Sequence, residues 1–246
     1  MKLSFVIPAY NEEKNITDCI LSIKSEIQKY GFNFKEGVEI IVVNNNSTDK
    51  TRELVLKQDV IVVDELRKGL PWARQAGIDA SNGDLIANID ADNRLLDGWL
   101  ETVYDYFSKN KNLVALSGPL IYYDTPYYVR LTQTISYVIG YSFNFILSLF
   151  NKGSMMQGGN FILRRDAILK IGGFDTSITF YAEDTDVGRR ISKIGKNIWT
   201  FSLPINSSGR RIMQEGLLRS YTRYCISFLS IAFTKKSVLK EYKDYR

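Results

Sequence analysis

Short apolar runs rich in β-branched residues alternate with helical patterns through the first half of this 246-residue chain, and that alternation limits the folds open to it. Leu3 to Ile7, Val38 to Val43, Val60 to Val63 and Leu85 to Ile89 read as strands buried on both faces. Between them Asn15 to Lys29, Thr48 to Lys57 and Leu70 to Ser81 read as helices, the last ending near Asn82-Gly83. Such alternation predicts an α/β layered domain around a mostly parallel sheet flanked by helices. Ligands of these sheets bind beyond the carboxyl ends of the strands. The polar clusters Pro8 to Glu13, Asn44 to Asp49, Glu65 to Gly69 and Asp90 to Asn93 fall there.

The second half has a different texture. Leu113 to Leu120, Gln157 to Leu163 and Asn197 to Phe201 read as strands, Glu183 to Ile194 as a helix, and the chain from about Gln214 as a long helical region. Leu131 to Asn151 carries no charged residue and lies between Arg130 and Lys152. At ~1.5 Å per residue a helix of that length could cross a bilayer. Its Thr, Gln, Ser and Asn residues lower its hydropathy, so an interfacial or shallow re-entrant element bent at Gly140 is expected. A buried or acceptor-groove helix remains the alternative. Near the C-terminus Leu217, Leu218, Tyr221, Tyr224, Phe228 and Leu229 interleave with Arg219 and Arg223, and Lys235, Lys236, Lys240, Lys243 and Arg246 follow. That pattern suits a surface anchor on an anionic membrane. It equally suits a helix packed on the domain with a solvated basic tail.

Composition narrows the chemistry. The chain has no histidine, which excludes Ser-His and Cys-His couples and His-ligated zinc. A base must then be a carboxylate, lysine or tyrosine, and a metal must be hard and oxygen-bound. The two cysteines, Cys19 and Cys225, form no CxxC pair, which suits a reducing compartment. The N-terminal apolar run is too short for a signal peptide, so no export is expected. A net charge of +5 fits phosphate or anionic-membrane binding, but no nucleic-acid motif is present and no GxGxxG follows the first strand.

Asp90-Ala91-Asp92-Asn93 directly follows the run Leu85 to Ile89. Two carboxylates spaced i, i+2 at a strand end can turn toward one crevice, where hard oxygens suit Mg²⁺ or Mn²⁺ with substrate phosphates completing the shell. The same residues also suit a simple turn before a helix. Glu183-Asp184-Thr185-Asp186 is a second acidic cluster, open to a catalytic role or to service as helix-start acids. Gly158-Gly159 allows either a close backbone approach or an ordinary bend.

Taken in order, Val6-Ile7-Pro8-Ala9-Tyr10-Asn11-Glu12-Glu13, Asn46-Ser47-Thr48-Asp49, Lys68-Gly69 with Ala73-Arg74, Asp90-Ala91-Asp92, Gly158-Gly159-Asn160-Phe161, Gly172-Gly173-Phe174-Asp175 and Glu183-Asp184 resemble the family 2 glycosyltransferases over roughly residues 1–203. The resemblance implies a GT-A fold and an inverting glycosyltransferase that draws on a nucleotide-diphosphate sugar, UDP- or GDP-linked. Pro8, Ala9, Tyr10 and Glu12 would line the nucleotide pocket. Asn44 and Asn45 stand where the family commonly has a base-contacting aspartate, and an amide can still bond a uracil edge. Lys68 and Arg74 would lie near the diphosphate, or stand as solvated helix-edge charges. Asp90, Ala91 and Asp92 would hold the donor, with Asp90 and Asp92 on Mg²⁺ or Mn²⁺. Gly158, Gly159 and Glu183 would face the acceptor, and Asp184 would take its proton. Arg210 or Arg211 would contact the diphosphate where relatives place a further ligand, or belong to a basic turn.

The expected organisation is a catalytic domain over 1–203, with a nucleotide-binding half 1–112 and an acceptor half 113–203 containing the apolar helical insertion 131–151. A basic amphipathic helical region follows over 204–246. A membrane crossing at 131–151 would put Asp92 and Asp184 on opposite sides of the lipid, so the protein is expected to be cytoplasmic and peripheral at the inner face of the cell membrane. The expected acceptor is a lipid-linked glycan or polysaccharide in cell-surface glycan synthesis. A polyprenyl-phosphate sugar synthase and a non-catalytic nucleotide-sugar-binding subunit are the alternatives.

Overall fold

A computed structural model describes residues 1–31, 37–148, 155–178 and 183–234. The first half runs β1 (Leu3–Ala9), α1 (Ile16–Tyr30), β2 (Val38–Asn44), α2 (Thr51–Leu56), β3 (Ile61–Asp64), α3 (Leu70–Ala80), β4 (Leu85–Ile89), β5 (Arg94–Leu95) and α4 (Trp99–Lys109). The second continues β6 (Leu113–Ser117), β7 (Leu120–Tyr122), α5 (Tyr127–Ser148), β8 (Asn160–Arg164), α6 (Arg165–Lys170), α7 (Glu183–Ile191), β9 (Lys196–Trp199), β10 (Ile205–Ser207), α8 (Arg210–Glu215) and α9 (Leu217–Thr234).

Seven strands form the main sheet in the order β3-β2-β1-β4-β8-β6-β9. Strands β3, β2, β1 and β4 are mutually parallel, and β8 runs antiparallel to both β4 and β6. Every residue of β1 and β4 is buried, because helices cover both faces of the sheet. Alternation along β1 divides the core: Leu3, Phe5 and Ile7 pack with α1 and α4, whereas Val6 joins Ile41, Ile78, Phe161 and Ile191 on the other face. Helix α3 lies so close to β1 that a Cβ on Gly77 would meet Val6 Cγ1 at 2.2 Å.

A second, three-stranded sheet, β5-β10-β7, sits beside the first. Residue 203 therefore precedes a strand that pairs back onto residues 94–95 and 120–122. Asn160, wholly buried, ties the two regions together. Its side chain accepts from Trp99 Nε1 at 3.1 Å and donates to the Leu203 carbonyl at 2.8 Å.

The run Leu113 to Leu120 is two strands, not one. Gly118-Pro119 separates them, and Gly118 passes so near Leu203 that a Cβ would lie 2.0 Å from its carbonyl oxygen. Helix α4 lies outside the sequence expectations although Trp99, Leu100, Val103, Tyr104 and Phe107 carry helical spacing. The uncharged stretch forms the greater part of α5, which is helical through Gly140; its expected last residues, 149–151, and the basic tail from 235 lie outside the described residues. Among the described residues no helix is long and apolar enough to cross a membrane.

Alanine is the better helix former by about 1 kcal/mol, yet Gly77→Ala should destabilise the protein by about 1–3 kcal/mol through overpacking against Val6. Urea denaturation would measure this, and Val6→Ala in the same chain should recover part of the loss. A stabilised Gly77→Ala would show that α3 and β1 are not in close contact.

Candidate active site

Parallel β1 and β2 end level, Ala9 opposite Asn44, and Asp90 directly follows β4 on the same edge of the sheet. Arg74 rises from α3 beneath that edge with none of its surface exposed. Its Nη2 donates to Asp90 Oδ1 at 3.0 Å and its Nη1 to Glu183 Oε1 at 2.8 Å. Glu183, 109 positions further along, opens α7. The rings of Phe161 and Phe174 lie 5.0 and 6.0 Å from the guanidinium carbon, an apolar setting that a cation tolerates through the ring faces. Arg74, expected beside the diphosphate, can therefore act on a donor only through the acids it holds.

Gly158 and Gly159 separate the two acidic clusters. A Cβ on Gly159, whose φ is +77°, would lie 2.5 Å from Asp90 Oδ2, and one on Gly158 would lie 3.0 Å from Asp184 Oδ2. Any side chain here would push into the carboxylates. Asn93 holds the strip in place by donating from Nδ2 to the Gly159 carbonyl at 2.7 Å. Burial, then the Glu183 carboxylate, pushes the Asp184 carboxyl up to about 7, against the opposing pull of Arg74 and the Thr185 and Gly158 N–H groups. A carboxylate so tuned is competent as a base near neutral pH. Asp186, the third acid of the cluster, is buried instead against Arg189 at 2.9 Å and Arg190 at 2.6 Å.

Asp92 meets a different cation. Arg210, at the start of α8, places Nη2 3.2 Å from Asp92 Oδ2 and also bonds Glu12. The pairing of β10 with β5 and β7 brings Arg210 there from the far end of the fold. Burial raises the Asp92 pKa; Arg210 opposes this, and the neighbouring Glu12 and Asp90 carboxylates add to it. This excess of negative charge, offered by hard oxygens, fits a divalent cation. Among the described residues no group of three His, Cys, Asp or Glu side chains could hold a metal ion by itself. An ion at Asp90 and Asp92 would thus be shared with substrate phosphates and water, as Mg²⁺ usually is.

On the nucleotide side, Tyr10 follows β1 and is half-buried, with Lys68 Nζ 5.4 Å from its ring centroid. The Ala9 carbonyl accepts from Asn45 N at 2.8 Å, and Pro8 completes the buried strand end. Asn44 donates to Asp64 Oδ1 at 2.8 Å. Asn45 donates to the carbonyls of Glu65 and Arg67 and accepts from the Gly69 N–H at 3.0 Å. Both ends of that amide staple the loop between β3 and α3, which differs from the expected contact with a nucleobase. Ala91 is buried between the two aspartates.

Arg74→Leu leaves Glu183 buried without its cation, so a loss of about 3–5 kcal/mol is expected in urea denaturation at constant m. Adding Glu183→Leu should recover most of it. A single-variant loss under about 1 kcal/mol would show that this pair is not a buried ion pair.

Comparison with known proteins bears on the family and the fold. The profile described as Glycosyl transferase family 2 matches residues 4–172. Over 224 residues the chain is 29% identical to "Probable glycosyltransferase YdaM" of Bacillus subtilis, an alignment covering 83% of this chain and 50% of that protein. Over 189 residues it is 24% identical to the glucosyl-dolichyl phosphate glucuronosyltransferase of Haloferax volcanii, covering 72% of this chain and 57% of that one. The chain thus spans about half the length of these curated relatives. Among solved structures it resembles the mannosyltransferase PcManGT of Pyrobaculum calidifontis in complex with GDP-Man and Mn2+, with a TM-score of 0.71 at 16% identity over 96% of this chain and 65% of that one. It also resembles S. aureus TarS in complex with UDP, with a TM-score of 0.63 at 16% identity over 95% of this chain and 72% of that one. With its α/β architecture of the GT-A type, the chain belongs to glycosyl transferase family 2.

Proposed function

We propose that the protein transfers a sugar, with inversion, from a UDP- or GDP-linked donor to a hydroxyl of a lipid-linked or polysaccharide acceptor in cell-surface glycan synthesis. One observation carries this reading: Asp90 and Asp184, 94 positions apart in sequence, press against adjacent glycines at one strand edge. Solved structures of the same fold are complexes with GDP-Man and with UDP-GlcNAc, and a relative is named a poly(ribitol-phosphate) beta-glucosyltransferase.

The nucleoside lies along the ends of β1 and β2, past Pro8, Ala9, Tyr10 and Asn44. Lys68, exposed beside Tyr10, offers positive charge to the donor phosphates. Asp90 and Asp92 would hold Mg²⁺ or Mn²⁺, which neutralises the charge of the departing diphosphate. Arg74 fixes Asp90 and Glu183, so the two sides of the cleft keep their spacing. Asp184 accepts the proton of the acceptor hydroxyl while that oxygen bonds to the anomeric carbon. The bond from that carbon to the diphosphate breaks on the opposite face, and the nucleoside diphosphate departs. Both described cysteines are free, which supports work in a reducing, cytoplasmic setting.

Asp184→Asn should abolish transfer to a hydroxyl while leaving nucleotide binding unchanged. The base works deprotonated, so kcat/KM of the unaltered protein should fall as pH drops through about 7. Near-normal turnover of Asp184→Asn with a polyprenyl phosphate acceptor, whose nucleophile is already anionic, would replace this reading with the polyprenyl-phosphate sugar synthase. Binding of a nucleotide sugar with Mg²⁺ or Mn²⁺ but no release of nucleoside diphosphate would leave the non-catalytic binding subunit, and failure of every nucleotide sugar in a panel to bind would overturn the transferase reading.

A further inference from the structure

Helices α5 and α9 are inside out. On α9 the buried side chains among those described are Ser220, Ser227 and Ser230, with Leu217, Tyr221 and Phe228 half-buried beside them, whereas Leu218, Ile226 and Leu229 are 83%, 43% and 41% exposed. On α5 the inward stripe holds Val129, Gln133, Ser136, Tyr137, Gly140 and Asn144, mostly small or polar. Its outward face shows Ile135, Val138, Ile139, Phe143, Phe145 and Ile146. A helix bound only by water and a protein core buries the apolar stripe and exposes the polar one. Here both helices do the reverse.

The two faces belong to one surface. Val129 of α5, Ile212 of α8 and Tyr122 form a small core against which Leu217 of α9 packs. Tyr137 of α5 lies close enough to Tyr221 and Tyr224 of α9 to be influenced by both. The charge around this surface has one sign. No Asp or Glu occurs between Asp124 and Asp166 or between Glu215 and Glu241, and Arg130 and Arg219 stand exposed at its helices. Among the described residues neither helix is apolar enough to cross a bilayer; an exposed apolar face flanked by arginines suits the interface plane, with the arginines at the headgroups.

The surface also leads into the cleft. Asn144 of α5 accepts from the Met155 N–H at 2.9 Å, and the Met155 methyl lies 3.7 Å from the position of a Cβ on Gly140. Gly158 follows three residues later. We propose that α5 and α9 together seat the protein on an anionic lipid leaflet, so that its acceptor is membrane-borne and enters beside Gly158-Gly159. This rests on the glycosyltransferase reading only for the acceptor; the docking itself does not need it.

Flotation of the full chain with phosphatidylcholine vesicles, with and without phosphatidylglycerol, tests the docking. The unaltered protein should float with the anionic vesicles and far less with the neutral ones. Ile139→Glu with Ile146→Glu should lower the partition roughly tenfold or more, with an unchanged circular dichroism spectrum and unchanged nucleotide binding. Arg130→Gln and Arg219→Gln should each lower the anionic preference on the order of fivefold. No flotation with either vesicle, equal flotation with both, or a dimer that the two glutamates convert to a monomer would overturn the proposal, the last by making a second copy the occupant. Equal transfer rates to water-soluble and vesicle-borne acceptors by a protein that floats would overturn the membrane-borne acceptor. Intact flotation with no nucleotide binding would instead sink the catalytic reading and leave the docking standing.

Discussion

A guanidinium with no access to water holds the acid-bearing edge of this protein's sheet together. Arg74 cannot be buried alone, because removing a charge from water costs several kcal/mol even after the surroundings relax. Asp90 and Glu183 supply the compensation, and in doing so they lock the end of β4 to the start of α7. Each acid has its own local reason to be where it is, one at a strand end and one in a first helical turn. Only the shared cation makes their relative position a fixed quantity. The close seating of α3 on β1 at Gly77 sets the height at which Arg74 emerges, so a packing detail in the core becomes a geometric detail at the surface.

A second cation repeats the device on the other side of the cleft. Arg210 reaches Glu12 after β1 and Asp92 after β4, and it arrives there because a three-residue strand, β10, completes the small sheet. The edge of the sheet thus carries four carboxylates, those of Glu12, Asp90, Asp92 and Glu183, around two arginines contributed by helices. Asp184 stands apart: burial and the neighbouring Glu183 carboxylate raise its proton affinity, and Arg74 and the Thr185 and Gly158 N–H groups offset only part of that rise.

Much of this was legible from residues alone. Strands buried on both faces must be continuous apolar runs, so β1, β2 and β4 were visible, and the chemistry-bearing clusters follow them at the predicted edge. The spread of the motifs through the chain placed 90, 158 and 184 in one family pattern. What could not be read depends on partners distant in sequence. Nothing near Arg74 shows that Glu183 will bury it, and nothing near Asn45 shows that the turn at 65–69 will take both ends of its amide. Strands of two or three residues, such as β5 and β10, are too short to show a period. The reversed stripe of α9 was half visible: its aromatic and basic residues were plain, but which side faced inward was settled by three serines that no hydrophobic pattern would mark.

The absence of side chains at 158 and 159 has one more consequence. Because the acids on either side lean against main chain, the width of the gap between them is a peptide-backbone dimension and not the outcome of rotamer choice. Repacking of nearby core residues can tilt or shift this edge as a unit, but it has little leverage on the gap itself. The interior of the domain is therefore free to vary in sequence while the aperture between these acids keeps a constant calibre.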